Sequence, residues 1–323
     1  MDVLDHLLRA TPPRDPVSTL DAWFERLNEC PFDQPIDRSI WSGFEADRLG
    51  YAFVGGYHAA LSRLFMREAE QLGTAVERRY PWPSREARLS LAATEAGGAH
   101  PQAIETVLVE ERGQLVVRGE KTFATLASIA DELLVVASRG PDLDRKNRLA
   151  LVRVRRGAPG VSIEDRPPTA FAPEIPHSRV KLVDVAVSSE DILPGDGYTM
   201  YLKPFRTIED IHVLAATLAY VVATARAWSF DRAVIESALP LIVALREISE
   251  RSPSDPLAHI TLAGVFAQAS RLIADAAGEW SKAPAEARER WRRDQPLLLV
   301  ASQARQQRTA AAWRALPSSP GRP

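Results

Sequence analysis

The hydrophobic pattern of this 323-residue chain changes its period twice along the sequence, and this change limits the folds that the chain can adopt. Over residues 3–79 and again over residues 197–316, apolar side chains recur at the spacing of one buried helical face. Residues 213–223 are apolar almost all round, as expected for a helix that is buried among other helices. Both ends of the chain are therefore predicted to be helical.

The middle of the chain follows a different pattern, which is typical of β-strands. Short runs rich in Val and Leu, partly alternating with polar residues, predict strands at residues 88–94, 105–110, 114–118, 132–138, 148–155 and 180–187. Loops separate these runs and no long helical pattern lies between them, which favours an antiparallel sheet over repeated βαβ units.

Together these patterns predict an α+β fold with helices at both ends of the chain. The sequence Pro81-Trp82-Pro83 ends the first helical segment, because proline terminates helices and biases the preceding residue towards extended structure. We expect four parts: an N-terminal helical domain (residues 1–84), a β-sheet domain (85–192), a C-terminal helical bundle (193–316) and a flexible tail (317–323).

Charge and cysteine content exclude several classes of function. Forty Lys and Arg residues oppose 42 Asp and Glu residues, so the formal net charge is −2 and no global field attracts nucleic acid. The single cysteine, Cys30, excludes an intramolecular disulfide and multi-cysteine metal sites. The N-terminus has acids and prolines where a secretory signal needs a basic start and an apolar core. The longest apolar run is about half the length of a bilayer crossing, so we expect a cytoplasmic protein that binds no membrane.

General catalytic and metal-binding motifs are absent from the sequence. The six histidines are scattered, without an i, i+4 pair or an HExxH motif, so no metal site is predicted. Neither a G-x-S-x-G elbow nor a P-loop is present, and Gly195-Asp196-Gly197 lacks the third glycine of a dinucleotide fingerprint. Residues 288–293 (RERWRR) are flanked by acids, which predicts a helix with i, i+4 ion pairs rather than a nucleic-acid site.

Four segments of the chain carry more specific motifs. Residues 91–101 (LAATEAGGAHP) resemble a T-E-P-x-A-G-S-D motif, and residues 119–130 (GEKTFATLASIA) resemble G-x-K-x-[WF]-I-T-N-A. Residues 159–161 (PGV) and 192–198 (ILPGDGY) are similar to a P-G-V motif and to L-G-x-x-G-x-G-[FY]. In this order and spacing the motifs resemble those of the acyl-CoA dehydrogenase family, whose N-terminal helices, central antiparallel β-domain and C-terminal helical bundle match the predicted order.

The resemblance implies a FAD-dependent oxidoreductase that introduces a double bond between the α and β carbons of an acyl thioester. In the family, FAD lies against the β-domain, a glutamate removes the α-proton, and flavin N5 takes the β-hydride. The α C–H is a very weak acid, so hydrogen bonds to the thioester carbonyl and desolvation of the base must assist its removal. The implied partners are acyl-CoA or another acyl thioester, and further subunits of a homo- or hetero-oligomer.

Four residues take the positions of cofactor-binding residues in these motifs. Thr94 and Thr125 match threonines that contact the flavin ring, and Phe123 replaces the aromatic residue near the isoalloxazine. His100 replaces the serine that commonly contacts the FAD pyrophosphate. Taken alone, each residue also has a purely structural interpretation. Thr94 and Thr125 could be ordinary strand threonines, and Phe123 could be an ordinary core residue.

Other positions depart from the family pattern. Leu126 replaces the asparagine of the I-T-N motif, and Pro101 replaces an aspartate. Of a later R-x-x-F-G motif, which completes the adenosine end of the FAD site from a neighbouring subunit, only Arg251 is present. Asp255 would bring a negative charge towards a pyrophosphate, which is unfavourable without a compensating cation. A weakened FAD site is one reading of these changes.

The catalytic base has no match to the commonest motif, a glutamate in a Y-E-G-T-like segment. In a minority of the family the base lies in the first helix after G-x-G-[FY], at a position that falls here on Ile208. The candidate base is the next residue, Glu209, about 100° further around a helix. Alternatively, Glu209 and Asp210 are first-turn acids that complement the helix dipole. Arg206 is the candidate ligand for a substrate carboxylate or phosphate, or a surface arginine.

Two hypotheses about function therefore stay open. The first is an active flavoenzyme with Glu209 or another acid as the base. The second is a catalytically inactive acyl-CoA dehydrogenase-like subunit that completes the FAD site of a partner or stabilises a hetero-oligomer.

Overall fold

The computed structural model describes residues 2–13, 15–72 and 86–317, and the side chains of all of these except residues 68–72. The predicted helix end at residues 81–83 lies outside the described residues, as does the predicted tail from residue 318 onwards. Helices precede and follow a central sheet along the described chain, so the predicted α+β order is confirmed.

The elements have the following bounds. The helices are α1 (Val3–Arg9), α2 (Leu20–Asn28), α3 (Pro35–Glu45), α4 (Leu49–Leu72), α5 (Lys203–Ala227), α6 (Arg232–Ser249), α7 (Pro256–Asp275), α8 (Ala285–Asp294) and α9 (Ser302–Ala315). The strands are β1 (Leu89–Ala92), β2 (Val107–Glu111), β3 (Gln114–Thr125), β4 (Glu132–Pro141), β5 (Asn147–Arg155), β6 (Val161–Asp165) and β7 (His177–Val187). A π-helical segment, Gly197–Leu202, leads directly into α5.

The chain forms two compact units. The helical unit comprises residues 1–63, 170–172 and 207–323, and the sheet unit comprises residues 64–169 and 173–206. Helices from both ends of the chain thus belong to the helical unit. The four-part division derived from the sequence stays a prediction.

The helical unit is built around α5, and two glycines allow other helices to approach it closely. A Cβ atom at Gly43 of α3 would lie 2.0 Å from the carbonyl oxygen of Ala216, and one at Gly56 of α4 would lie 2.8 Å from the Cα of Val213. Both positions therefore require glycine. Every residue from 214 to 223 is buried, as the all-round apolar pattern predicts.

Two helical stretches are long and apolar enough to cross a membrane, judged by length and composition alone. The apolar part of Gly197–Ala227 is 83% buried inside the protein, as in the core helix of a folded domain, whereas that of Pro256–Lys282 is 28% buried. Because soluble core helices pass the same test, the expected absence of a membrane segment stays a prediction.

The sheet unit contains a seven-stranded sheet in the order β1-β4-β2-β3-β7-β6, with β5 on the other edge of β4. The pairs β2–β3, β3–β7, β4–β5 and β6–β7 are antiparallel. However, β1 and β2 both pair with β4 in parallel, so the sheet is mixed. The prediction of a purely antiparallel sheet was wrong. Parallel neighbours need long connections, and the β2–β3 hairpin supplies one between β1 and β4.

Candidate functional site

Three of the predicted cofactor-binding residues lie together at one end of the sheet. Thr94, just after β1, forms an antiparallel bridge with Phe123 of β3, and the Thr94 carbonyl accepts a hydrogen bond from the N–H of Thr122 (2.9 Å). Residues that pair across two strands project to the same face. Two residues along β3, Thr125 pairs with His177 at the start of β7, and Thr125 Oγ1 lies 3.2 Å from His177 Nδ1. The structure therefore brings Thr94, Phe123 and Thr125 together.

An open aromatic surface lies at this place. The Phe123 ring is stacked on the His177 imidazole, with 4.3 Å between centroids and 23° between planes, and Phe123 is 38% exposed. The Arg166 guanidinium lies 5.8 Å from the Phe123 centroid and donates a hydrogen bond to the Thr122 carbonyl (3.0 Å). Burial and the Arg166 charge lower the pKa of His177 to about 4, so its imidazole is neutral at pH 7.

No motif identified His177 as a functional residue. It precedes the predicted strand at residues 180–187, because β7 begins three residues earlier than the apolar pattern indicates. Its contact with Thr125 depends on the register between β3 and β7. Strand register between distant segments is not visible in a local sequence pattern, and the histidine itself was the only available signal.

A buried ion pair connects the two motif segments that carry these residues. Lys121 is fully buried, and its Nζ donates to Glu95 Oε1 (2.5 Å) and to the carbonyl of Val136 (2.6 Å). The Glu95 carboxylate also accepts hydrogen bonds from the backbone N–H groups of Glu105 (2.7 Å) and Thr106 (3.1 Å). These contacts hold the loop after β1 against β3 and β4. The sequence motifs contain Glu95 and Lys121, but only their burial identifies this structural role.

The two partners respond differently to burial. Burial raises the pKa of Glu95, but the Lys121 charge and the hydrogen bonds to Lys121 and the backbone outweigh it, so that the pKa lies below its usual value. Burial lowers the pKa of Lys121 to about 8, against the attraction of Glu95. At neutral pH both groups are charged, and the pair carries no net charge.

Leu126 shows how the chain accommodates a departure from the family motif. It occupies the asparagine position with a φ of 65°, in the left-handed region where asparagine is tolerated better than branched residues. Its N–H donates to the Pro176 carbonyl (2.8 Å), and its side chain is buried. Burial of the leucine side chain offsets the strain of this backbone conformation.

Arg206 and His100 both contact the segment that follows β1. His100 is exposed and caps the 3₁₀ turn Pro101–Ala103, where its Nδ1 accepts the N–H of Gln102 at 3.4 Å. Arg206 is half-buried, and its Nη2 donates to the carbonyl of Ala99 (2.9 Å). No ion pair joins Arg206 to any residue that the structure describes. Arg206 therefore contacts the segment that contains His100 through the neighbouring carbonyl of Ala99.

Arg251 lies in the helical unit and is already neutralised. It forms ion pairs with Glu247 (3.3 Å) and Asp255 (3.7 Å). Asp255 is also the N-cap of α7 and accepts the N–H of Leu257 (2.9 Å). Asp255, which was expected to bring a negative charge towards a phosphate, instead pairs with Arg251.

Glu209 lines a small cavity inside the helical unit. This cavity has a volume of about 80 Å³, and its lining includes Phe53, Val213 and Arg305. Ligand-sized pockets occupy about 300 Å³ or more, so this cavity is too small for an acyl thioester. Because α5 begins at Lys203 and continues the preceding π-helical segment, Glu209 lies beyond the first turn, and the helix-dipole alternative is wrong. Its role as a base stays a prediction.

The neighbouring Asp210 has a structural role. It accepts a hydrogen bond from Nη1 of Arg305 (3.0 Å) and another from Arg308, both on α9. Arg305 also donates to the carbonyls of Leu298 and Val300. Burial raises the pKa of Asp210, against the attraction of Arg308 and Arg305. This cluster holds α9 against α5.

The arginine-rich stretch and the histidines form no alternative site in the described residues. Arg290 pairs with Glu286 at i, i+4 (3.2 Å), as predicted for α8. Trp291 is buried and stacked on Trp280, with 4.4 Å between centroids. No group of three His, Cys, Asp or Glu side chains in the described part of the chain could hold a metal ion.

Comparison with known proteins identifies relatives of the middle segment and of the fold. The sequence model of the acyl-CoA dehydrogenase middle domain matches residues 90–185. The cyclohex-1-ene-1-carbonyl-CoA dehydrogenase of Geobacter metallireducens is 29% identical over 135 residues, which cover 42% of this chain and only 35% of that relative.

Several solved structures resemble nearly the whole chain, and two of them illustrate the similarity. One is a chain from the electron transferring flavoprotein structure of Acidaminococcus fermentans, with a TM-score of 0.71, 13% identity, and coverage of 97% of this chain and 96% of that chain. The other is butyryl-CoA dehydrogenase from Megasphaera elsdenii, with a TM-score of 0.64, 15% identity, and coverage of 97% and 96%. Identities this low establish the fold alone.

The matched middle domain contains Thr94, Phe123, Thr125 and the Glu95–Lys121 pair, and the fold extends the similarity to the helices on either side. The predicted resemblance is thus confirmed: residues 90–185 match the acyl-CoA dehydrogenase middle domain, and the chain has an acyl-CoA dehydrogenase-like fold.

Proposed function

We propose that this chain is a FAD-dependent oxidoreductase that desaturates an acyl thioester, carried by CoA or by another thiol carrier. The observation that carries this proposal is the shared face of Thr94, Phe123 and Thr125, which are separate in the sequence and adjacent on the sheet. The curated relative that matches the middle segment is a dehydrogenase of an acyl-CoA, which supports the same chemistry.

The residues on this face fit an isoalloxazine ring. A flat ring system needs an apolar surface and a few hydrogen-bonding groups that fix its orientation. Phe123 offers a partly exposed ring, and Thr94 and Thr125 offer hydroxyl and backbone groups beside it. These three residues would hold the ring. A bound FAD would supply the acceptor for the hydride of the β-carbon.

The residues expected near the phosphate groups of FAD fit this cofactor less completely. Arg251 is paired with two acids, and the His100 side chain caps a turn. Arg206 remains the candidate for a carboxylate or phosphate group of the substrate, since its half-buried guanidinium has no ion-pair partner among the described residues.

In this proposal the chain itself positions the substrate and moves one proton. Glu209 is the candidate base for the α-proton, and it is a half-buried carboxylate that lines a small cavity of the helical unit. A carboxylate removes such a proton only when donors also stabilise the charge that develops on the thioester oxygen.

The test begins with the visible absorption spectrum of the purified chain after incubation with FAD. We expect flavin absorption after gel filtration, and loss of that absorption when an acyl-CoA is added without oxygen. Glu209→Gln should keep the flavin and abolish the bleaching, whereas Glu236→Gln, on an exposed face of α6, should bleach normally. Bleaching of Glu209→Gln at the wild-type rate would exclude Glu209 as the base, and a colourless chain would exclude the enzyme.

The second candidate function is the catalytically inactive subunit. Two observations favour it: Arg251 is neutralised by its own neighbours, and Ile208, at the alternative base position, is buried. This candidate predicts a colourless chain that forms a stable complex with a homologous, flavin-containing subunit. Light scattering during gel filtration of the chain, alone and with such a subunit, distinguishes a homo-oligomer from a hetero-oligomer. A cytoplasmic location is part of both candidates.

A further inference from the structure

One side chain contacts two of the three residues proposed to hold the flavin ring. The His177 imidazole lies with its Nδ1 3.2 Å from Thr125 Oγ1 and is stacked on the Phe123 ring at 4.3 Å. Both contacts are within the sheet unit, and they follow from the pairing of Thr125 with His177 across β3 and β7. The family motifs discussed above do not include this position.

The surroundings of His177 favour an uncharged ring. The imidazole is half-buried, and the charged group that faces it from the neighbouring segment is the Arg166 guanidinium, which disfavours a second positive charge. A neutral imidazole has one nitrogen that donates and one that accepts a hydrogen bond. Nδ1 can therefore accept a hydrogen bond from the Thr125 hydroxyl or donate one to it, depending on the tautomer, and either bond holds the hydroxyl in place.

We propose that His177 is a positioning residue of the flavin site: it orients the Thr125 hydroxyl towards the ring and supports the Phe123 side chain from the opposite face. This inference rests on the proposed function. A threonine hydroxyl that rotates freely loses entropy when it binds a ligand, whereas a hydroxyl already held by Nδ1 loses less. Likewise, a supported Phe123 ring stays in place although it is 38% exposed.

The test uses two variants that separate the two contacts. His177→Phe keeps an aromatic ring against Phe123 and removes the hydrogen bond, whereas His177→Asn keeps a hydrogen-bonding group near the Nδ1 position and removes most of the stack. The full-length chain is titrated with FAD, and quenching of flavin fluorescence and the position of the flavin absorption peak are recorded. His259→Phe, in the helical unit, is the control.

We expect His177→Phe to weaken FAD binding about three- to tenfold, the effect of one hydrogen bond, and to shift the absorption peak. His177→Asn should recover part of the affinity. In a double-mutant cycle, Thr125→Val should weaken binding in the wild type but add little in the His177→Phe background, because both changes remove the same contact.

Several outcomes would overturn the inference. If the wild type binds FAD and His177→Phe binds it with the same affinity and spectrum, His177 does not position the site, while the proposed function stands. Additive effects of Thr125→Val and His177→Phe would lead to the same conclusion. Loss of folding in both His177 variants, seen by circular dichroism, would assign His177 a purely structural role. A wild type that binds no FAD would instead overturn the proposed function itself.

Discussion

Glu95 in the sheet unit and Asp210 in the helical unit are both buried carboxylates with cationic partners, yet their pKa values move in opposite directions. The pKa of Glu95 lies below its usual value, and that of Asp210 lies above. Glu95 accepts one hydrogen bond from a lysine and others from two backbone N–H groups. Asp210 accepts hydrogen bonds from two arginine side chains.

The difference follows from the elements that surround each carboxylate. The backbone N–H groups near Glu95 belong to the segment before β2 and are free to face a carboxylate. Asp210 lies within α5, where backbone N–H groups are used by the helix itself. Backbone donors stabilise a buried negative charge without the entropy loss of long side chains. The negative charge of Glu95, which lies near the proposed flavin residues, is therefore stabilised more strongly than the negative charge of Asp210 in the helical unit.

The largest effect that tests this comparison is expected for Lys121→Met. The substitution removes the ammonium group and leaves the Glu95 carboxylate buried without a cation, which should lower the free energy of unfolding by about 3–5 kcal/mol. Urea denaturation measures the change, with Lys181→Met, an exposed lysine of β7, as the control. A Lys121→Met chain as stable as the control would show that the backbone donors alone hold Glu95.

A second prediction concerns the pH dependence of the helical unit. Burial lowers the pKa of His212 in α5 to about 4, although its hydrogen bond to the Ile208 carbonyl opposes the shift. The unfolded chain therefore binds the proton first, near pH 6.5, and stability is lost as the pH falls from about 6.5 towards 4. The full loss from this one group is about 3 kcal/mol.

Urea denaturation between pH 7 and pH 4.5 measures this dependence. His212→Gln should unfold with a weaker dependence on pH than the wild type, whatever its stability at pH 7. His259→Gln, a partly exposed histidine of α7, is the control and should keep the wild-type dependence. Equal slopes for wild type and His212→Gln would mean that the buried imidazole does not titrate in this range.

Asp210→Asn is expected to have a smaller effect than Lys121→Met. Burial already disfavours the charged form of Asp210, and Arg305 keeps its hydrogen bonds to two carbonyls, so the expected loss is about 1–2 kcal/mol. Amide hydrogen exchange should increase in α9 and remain unchanged in the sheet. Asp275→Asn, at the exposed end of α7, is the control. A loss as large as that of Lys121→Met would contradict the contrast between the two carboxylates.

The smallest expected effect concerns the backbone conformation of the residue that precedes α9. Ala301 precedes this helix with a φ of 62°, a left-handed conformation that glycine adopts without strain. Ala301→Gly should therefore stabilise the chain by about 0.5–1 kcal/mol, while Ala310→Gly, inside α9, should destabilise it by a similar amount. Thermal denaturation compares the two. Destabilisation by both variants would show that Ala301 does not hold the left-handed conformation in solution.

The fold was largely predictable because helices and strands leave periodic patterns. The six predicted strands correspond to six of the seven in the sheet. The strand β6, Val161–Asp165, was not predicted, because its five residues include three polar ones and its apolar positions are partly exposed. The parallel pairing of β1 with β4 was missed as well, since strand direction depends on how the chain crosses the sheet and not on local alternation.

The residues of the candidate site were predictable only where a residue at a motif position also contacts the other site residues in the folded chain. Thr94, Phe123 and Thr125 were identified by motif position, and the sheet brings them together. His177 was missed because its role depends on register. Arg251 was selected because it is the one residue of the R-x-x-F-G motif that this sequence keeps. In the structure its charge is paired with neighbouring carboxylates.

The amino-acid sequence by itself determined the order of helices and strands, the buried character of the central helix, and the family motifs, since each depends on residues close together in the chain. Tertiary structure decided which charges are paired and which groups change their pKa. Glu95 and Lys121 are 26 residues apart, and Asp210 and Arg305 are 95 apart. Ionisation depends on burial and on distances between such remote groups, and only the folded chain sets them.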